Sequence, residues 1–129
     1  MSGFTRDVVS TPNAPKAIGP YSQAIKANGF VFVSGQLALH PGDKAIELDG
    51  IAEQTERVFQ NLRAILEEAG TSLDNLVKTT VFLQNLDDFA GMNEVYASHV
   101  GDRPPARSTV EVAKLPSGAL VEIEAIALL

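Results

Sequence analysis

A chain of 129 residues with 45% hydrophobic and 20% charged side chains is long enough for one domain with a real core, and too apolar to be disordered. It has no cysteine, which removes disulfides, thiolate catalysis and cysteine-ligated zinc, and its two histidines, His40 and His99, lie too far apart in sequence to suggest a metal site. The net charge of −6, with no cluster of basic residues, disfavours nucleic acid as a partner, because such binding draws on Lys and Arg contacts to phosphate.

Strand and helix periods alternate along the chain without repeats or low-complexity tracts. Phe4–Val9 reads as a first strand, ended by STPNAPKAIGPYSQ, which is rich in Pro, Asn and Gly. Ala24–Ala27 reads as a second, and Asn28–Gly29 is a two-residue hairpin signal leading into a third, Phe30–Leu39. Gly35, inside that strand, marks either a bulge or a close approach by another backbone or a ligand. From Gly50 the period becomes helical, with Ile51, Val58, Leu62, Ile65, Leu66 and Ala69 on one stripe. Gly50 with Glu53 three residues on supplies the start, and Gly70 the stop. The opposite face, with Glu53, Glu56, Arg57, Gln60, Arg63 and Glu67, reads as solvated helix surface.

Leu76–Leu83 follows as a strand with Val77, Thr79 and Val81 on one face. A second helix is expected over NLDDFAGMNEVYASHV, its apolar stripe formed by Leu86, Phe89, Tyr96 and Val100 with Met92 beside it. Asn93 falls on that stripe; a buried amide needs partners, so it either bonds a loop carbonyl or contributes to a pocket. Pro104–Pro105 stops the helix, and two strands, Ala106–Ala113 and Leu120–Leu129, joined by KLPSG, close the chain. Three strands, a helix, a strand, a helix and two strands make an α+β domain with both helices on one sheet face. The bare face, if apolar, needs cover, which oligomerisation supplies.

Two charges interrupt the last strands. Arg107, Thr109 and Glu111 share one face of the fifth strand, and Ser108, Val110 and Val112 the other. In the sixth, Glu122 and Glu124 share a face with Ile126 and Leu128, so both faces are largely apolar and a central strand buried on two sides is expected. A carboxylate there costs several kcal/mol unless paired or hydrogen-bonded. A salt bridge to Arg107 is the simplest remedy. In a plain hairpin turning at Ser117–Gly118, however, Glu122 lies opposite Ala113, with Arg107 about six residues further on, roughly 20 Å away. Either another strand lies between them or they converge from different subunits.

These residues carry a family likeness. PPARSTVEVAKLPSGALVEIEAIAL resembles the C-terminal signature of the YjgF/YER057c/UK114 (Rid, reactive intermediate deaminase) family, and AIGPYSQAI, VFVSGQLAL and NLDDFAGMNEVYASHV resemble three further blocks of it. The likeness covers essentially residues 1–129 and is strongest to the RidA subfamily. It implies a chorismate-mutase-like α+β domain, with a six-stranded mixed sheet and two helices on one face, assembled as a homotrimer with clefts between subunits. The implied activity is hydrolysis of 2-imino acids, such as 2-iminobutanoate and 2-iminopropanoate released by pyridoxal-phosphate enzymes, to 2-keto acids and ammonia. It assigns Arg107 to the substrate carboxylate, Glu122 to positioning or activating water, and Tyr21, Gly35, Asn93 and Thr109 to the cleft lining. No metal or cofactor is implied. The residue types suit that task, because a guanidinium matches a carboxylate with two parallel hydrogen bonds. An imine carbon is already electrophilic, so water needs positioning and modest base assistance.

The chain departs from many bacterial members in having Thr109 where they carry cysteine, and its loop at Gly101–Arg103 looks shorter than in some relatives. Two other functions compete: a non-catalytic trimer that captures small carboxylates such as 2-keto acids, and a ribonuclease or translation inhibitor. The second conflicts with the acidic composition and the lack of a suitable histidine pair. No apolar run approaches the roughly 18–20 residues needed to span a bilayer, and no secretory signal is visible. A cytoplasmic protein is expected, or one of an organelle matrix if a transit peptide has been removed.

Overall fold

The computed structural model of the chain describes residues 5–129. Its strands are β1 (Arg6–Val9), β2 (Ala24–Ala27), β3 (Phe30–Gln36), β4 (Leu76–Leu83), β5 (Ala106–Glu111) and β6 (Val121–Leu128), and its helices α1 (Ile51–Ala69) and α2 (Phe89–Val100). They form one six-stranded sheet in the order β1-β2-β3-β6-β4-β5, in which β4 and β5 are parallel and every other pair is antiparallel. The expected α+β order of elements is therefore the observed one; Phe4, placed in the first strand above, lies outside the described residues.

Local chemistry explains the boundaries. Asn28 and Gly29 both adopt positive φ, 54° and 83°, the two-residue turn whose twist suits a tight hairpin, and Ala27 pairs directly with Phe30. Helix α1 starts with the backbone N–H of Gly50 donating to the Glu53 carboxylate at 3.1 Å and ends in a left-handed cap at Gly70. β3 stops at Gln36, three residues before the expected end. Leu37–Leu39 leave the sheet because Asn61, buried on α1, donates from Nδ2 to the carbonyls of Leu37 at 3.0 Å and Leu39 at 2.8 Å.

Both helices cover one sheet face. Phe59, Leu62, Ile65 and Leu66 of α1 and Met92, Tyr96 and Val100 of α2 pack with Val31, Val33, Val81, Leu83, Ile123, Ala125 and Ala127. Burying each large side chain contributes roughly 1.5–3 kcal/mol. Three expectations are corrected here. Leu86 and Phe89 are not core: they are 46% and 38% exposed, and the buried stripe of α2 is Met92, Tyr96 and Val100. Val77 faces solvent, because the β4–β6 register slips between Leu76 and Lys78 and the extra residue turns outward. Arg57 does not belong to a fully solvated face; it is partly buried and donates to Asn61 Oδ1 at 2.8 Å.

The final strands are not a hairpin. β4 lies between β5 and β6, so β4 and β5 are joined through α2 as a parallel crossover unit. β6 is central, as expected, but within one chain only one of its faces is covered. The other carries Glu122, Glu124, Ile126 and Leu128, continuous with Phe32 of β3, Phe82 of β4 and Val110 of β5. Phe32, Val110 and Leu128 remain 45%, 42% and 47% exposed, so the bare face carries exposed apolar side chains, interspersed with Lys78, Thr80 and Ser108.

Replacing Asn61 with Ala orphans two partly buried carbonyls. The variant should lose roughly 2–4 kcal/mol of stability. Hydrogen exchange should accelerate first at residues 37–39; uniform acceleration over the whole sheet would contradict the anchoring role.

Candidate active site

The structure divides the expected site residues into two groups. Glu122, Gly35 and Tyr21 line one cavity of about 540 Å³, together with Ser34, Leu37 and Ser117. Arg107, Asn93 and Thr109 stand on the helix-covered side, at the junction of β5 and α2. Register explains the division. Arg107 pairs with Thr79, which pairs with Ala125 on β6; Glu122 pairs with Phe82, which pairs with Val110. An offset of three residues is odd, so the two side chains project from opposite faces of the sheet. The simple salt bridge is thereby excluded within one chain, and the intervening strand is β4.

The carboxyl group is seated by a glycine. Register slips between Val33 and Gln36 opposite Ala125 and Ile123, so the expected bulge at Gly35 is present. Close approach is present too, made by a side chain of the neighbouring strand: a Cβ on Gly35 would stand 2.6 Å from Glu122 Oε2. Ser34 is pinned on the adjacent loop, its N–H donating to the Gln23 carbonyl at 2.9 Å and its hydroxyl to the Ser22 carbonyl at 2.6 Å. Buried Gln23 holds the 11–15 segment, accepting from Thr11 N–H at 2.7 Å and donating to the carbonyls of Thr11 at 3.1 Å and Pro15 at 2.9 Å. That network presents Tyr21, 52% exposed, at the cavity. Burial, reinforced by repulsion from Glu124, raises the pKa of Glu122 above the ordinary glutamate value. Among the described residues no cation lies within 4.0 Å of its carboxylate.

The guanidinium is held with equal care. Arg107 donates from one terminal nitrogen to Asn93 Oδ1 at 2.6 Å, and its central carbon lies 4.7 Å from the ring centre of Tyr96 and 5.4 Å from that of Phe89. Asn93 therefore accepts from an arginine side chain, a partner that neither of the two expectations for it had named. Thr109 Oγ1 is buried without a hydrogen-bond partner. Among the described residues no carboxylate pairs with Arg107. Sequence reasoning missed Tyr96 and Phe89 as partners of the arginine, because an apolar helical stripe signals burial and says nothing of which strand it meets. It also missed Gln23 and Ser34, whose roles are visible only through backbone partners distant in sequence.

Comparison with known proteins places this geometry. Residues 11–129 match the family model described as Endoribonuclease L-PSP. A mouse protein named 2-iminobutanoate/2-iminopropanoate deaminase is 44% identical, the alignment covering 98% of this chain and 94% of that protein. The chain belongs to the Rid (YjgF/L-PSP) family. A Rid-family structure, YyfA of Yersinia pestis, matches with a TM-score of 0.93 at 48% identity, covering 97% of this chain and 100% of that one. RidA of an Antarctic Psychrobacter matches with a TM-score of 0.88 at 45% identity, covering 95% and 99%. The six-stranded mixed sheet with two helices is therefore the fold of the Rid domain.

In this Rid protein Gly35→Ala forces a methyl group into the Glu122 carboxyl. The substitution should cost about 1–2 kcal/mol in the wild-type background and clearly less in a Glu122→Ala background. Equal costs in the two backgrounds would show that the contact is not what requires glycine.

Proposed function

We propose that the protein is a 2-imino acid deaminase that converts 2-iminobutanoate- and 2-iminopropanoate-type imines to 2-keto acids and ammonia. Its clefts lie between subunits of a homotrimer of chorismate-mutase-like domains. The observation that carries this reading is a pair of charges: among the described residues Glu122 has no cation and Arg107 no carboxylate within 4.0 Å, and the two stand on opposite sheet faces. Arg107 is held by Asn93, Tyr96 and Phe89, and Glu122 is partly buried over Gly35, which is costly for a charge unless something is to be bound there. A neighbouring chain packed on the apolar bare face covers Phe32, Val110 and Leu128 and brings its own Arg107 toward the Glu122 cavity. The relatives named as imine deaminases support the same reaction.

In that cleft Asn93 occupies one end of the Arg107 guanidinium, leaving its other N–H donors for the two oxygens of the substrate carboxylate. The imine carbon then faces Glu122. The imine reacts in its protonated form: the Glu122 carboxylate accepts a proton from water as the water oxygen bonds to that carbon, and the C=N electron pair moves onto nitrogen as a lone pair. The resulting carbinolamine collapses when Glu122 returns its proton to nitrogen; the C–N bond breaks to release ammonia, and the hydroxyl proton passes back to Glu122, and from there to solvent, as the C=O bond forms. A carboxyl group whose pKa is raised by burial is suited to both roles, since it sits nearer the working pH than an ordinary glutamate. Tyr21 and the backbone at Gly35 border the same space and can orient the imine nitrogen. These steps use no metal.

Arg107→Ala and Glu122→Gln should each abolish accelerated decay of 2-iminopropanoate, generated by an amino-acid oxidase and trapped with semicarbazide. Arg107→Lys should fail as well, because an ammonium cannot reproduce the fork. Co-expressing the Arg107→Ala and Glu122→Gln chains should restore activity in about a quarter of clefts, those that take arginine from one parent and glutamate from the other. No restoration would place both groups in the same subunit's site and end the inter-subunit reading. A wild-type protein that binds 2-ketobutyrate yet leaves imine decay at its spontaneous rate would instead identify a carboxylate-binding trimer.

The acid limb of kcat/KM should follow the Glu122 carboxyl. Only the ionised form accepts the proton from water, so activity falls as pH drops through its pKa, with a midpoint above that of an ordinary glutamate. A midpoint below the usual carboxylate range would contradict burial as the dominant influence on this group.

A further inference from the structure

We propose that Tyr96 and Phe89 are positioning residues, a cradle that fixes the plane of the Arg107 guanidinium so that an incoming carboxylate meets a preset fork; this rests on Arg107 as the carboxylate-binding group. Phe89, Asn93 and Tyr96 lie at i, i+4 and i+7 on α2, one continuous face of the helix. All three touch the same guanidinium: Asn93 by a 2.6 Å hydrogen bond, Tyr96 and Phe89 with ring centres 4.7 and 5.4 Å from its central carbon. Both ring distances fall within the about 6 Å reach of a cation–π attraction.

The Tyr96 ring is itself immobilised. Its hydroxyl is 2.6 Å from Thr79 Oγ1, its ring meets Phe59 edge-on at 5.4 Å, and Tyr96, Thr79 and Phe59 are all buried. Thr79 is also the register partner of Arg107 across β4 and β5. A closed circuit results. The Arg107 backbone is paired beside Thr79, the Thr79 hydroxyl holds Tyr96, and the Tyr96 ring holds the Arg107 head. One hydrogen bond to Asn93 leaves an arginine free to pivot; the rings remove that freedom before substrate arrives, so less ordering is deducted from binding. Phe89 completes the cradle from the solvent-exposed side.

The test uses the full-length protein and compares wild type with Phe89→Leu, Tyr96→Leu, Tyr96→Phe and Arg107→Ala. KM and kcat are measured with 2-iminopropanoate, the affinity for 2-ketobutyrate by calorimetry, and the Arg107 Nε–Hε resonance by NMR, identified by its loss in Arg107→Ala. Phe89→Leu and Tyr96→Leu should raise KM and weaken 2-ketobutyrate binding on the order of tenfold, with kcat within about twofold of wild type. Tyr96→Phe keeps the ring face, still packed edge-on against Phe59, but loses the bond to Thr79, and should shift either clearly less than Tyr96→Leu does. The Arg107 resonance should broaden or exchange faster in the two leucine variants and persist in Tyr96→Phe. Phe89 is at the protein surface, so Phe89→Leu stays informative even if Tyr96→Leu fails to fold. A folded Phe89→Leu protein with wild-type KM and an unchanged Arg107 resonance would overturn the cradle, as would an equal loss in kcat and KM. Wild-type 2-ketobutyrate affinity in Arg107→Ala would overturn the underlying carboxylate role instead, a result separable from the first two.

Discussion

A pleated sheet sends residues an odd number of positions apart to opposite faces, and the functional reading depends on that constraint. Arg107 and Glu122 are three register steps apart across β5, β4 and β6. No rotamer of either can bring them together through the sheet. Each is nevertheless ordered, the carboxyl over the missing side chain of Gly35 and the guanidinium against Asn93, Tyr96 and Phe89. A chain built this way presents a carboxyl group and a guanidinium in different directions, the carboxyl beside the exposed Phe32, Val110 and Leu128 of the bare sheet face. In the proposed trimer, assembly completes the site and covers that face in one step.

Polar side chains inside the fold serve the site more than the core. Gln23 and Asn61 are buried and satisfied by backbone groups, Gln23 shaping the segment that presents Tyr21 and Asn61 drawing Leu37–Leu39 off the sheet to form a cavity wall. Gln54 works likewise, donating to the Leu48 carbonyl at 2.8 Å and accepting from Leu120 N–H at 2.9 Å, which sets where β6 begins. Each replaces hydration with hydrogen bonds of good geometry, so little net stability is lost and the loop conformation is specified. A core of the same volume made only of aliphatic residues would leave those loop backbones without partners.

The family model is described as an endoribonuclease, and the chemistry of this chain favours the imine reading over that description. His99 stacks on Phe59 with ring centres 4.6 Å apart and bonds Glu56 at 2.7 Å, while His40 pairs with Asp43 on an exposed loop. Neither lines the Glu122 cavity. The net charge of −6 adds a general repulsion toward phosphate. A cavity bordered by two carboxyl groups, Glu122 and Glu124, is poorly suited to a polynucleotide.

Much of this was legible in the linear chain, for reasons that are local. Asn28–Gly29 specifies its hairpin because both residues accept positive φ; the stripe of α1 and the alternation of β5 and β6 follow from periods that burial imposes. Arg107, Glu122, Gly35 and Asn93 stood out because a charge in an apolar strand, a glycine in a strand interior and an amide on an apolar stripe each break a rule. Register arithmetic even showed that the arginine and the glutamate could not meet in a hairpin. What residue order could not contain was the neighbour relations. That β6 inserts between β3 and β4, that Glu122 rests on Gly35, that Tyr96 is bound to Thr79 and meets Arg107, and that Val77 is turned out by a bulge all depend on contacts between segments far apart in sequence. Pairing energy between strands is nearly independent of residue order, so only packing of the whole chain selects among the possible partners.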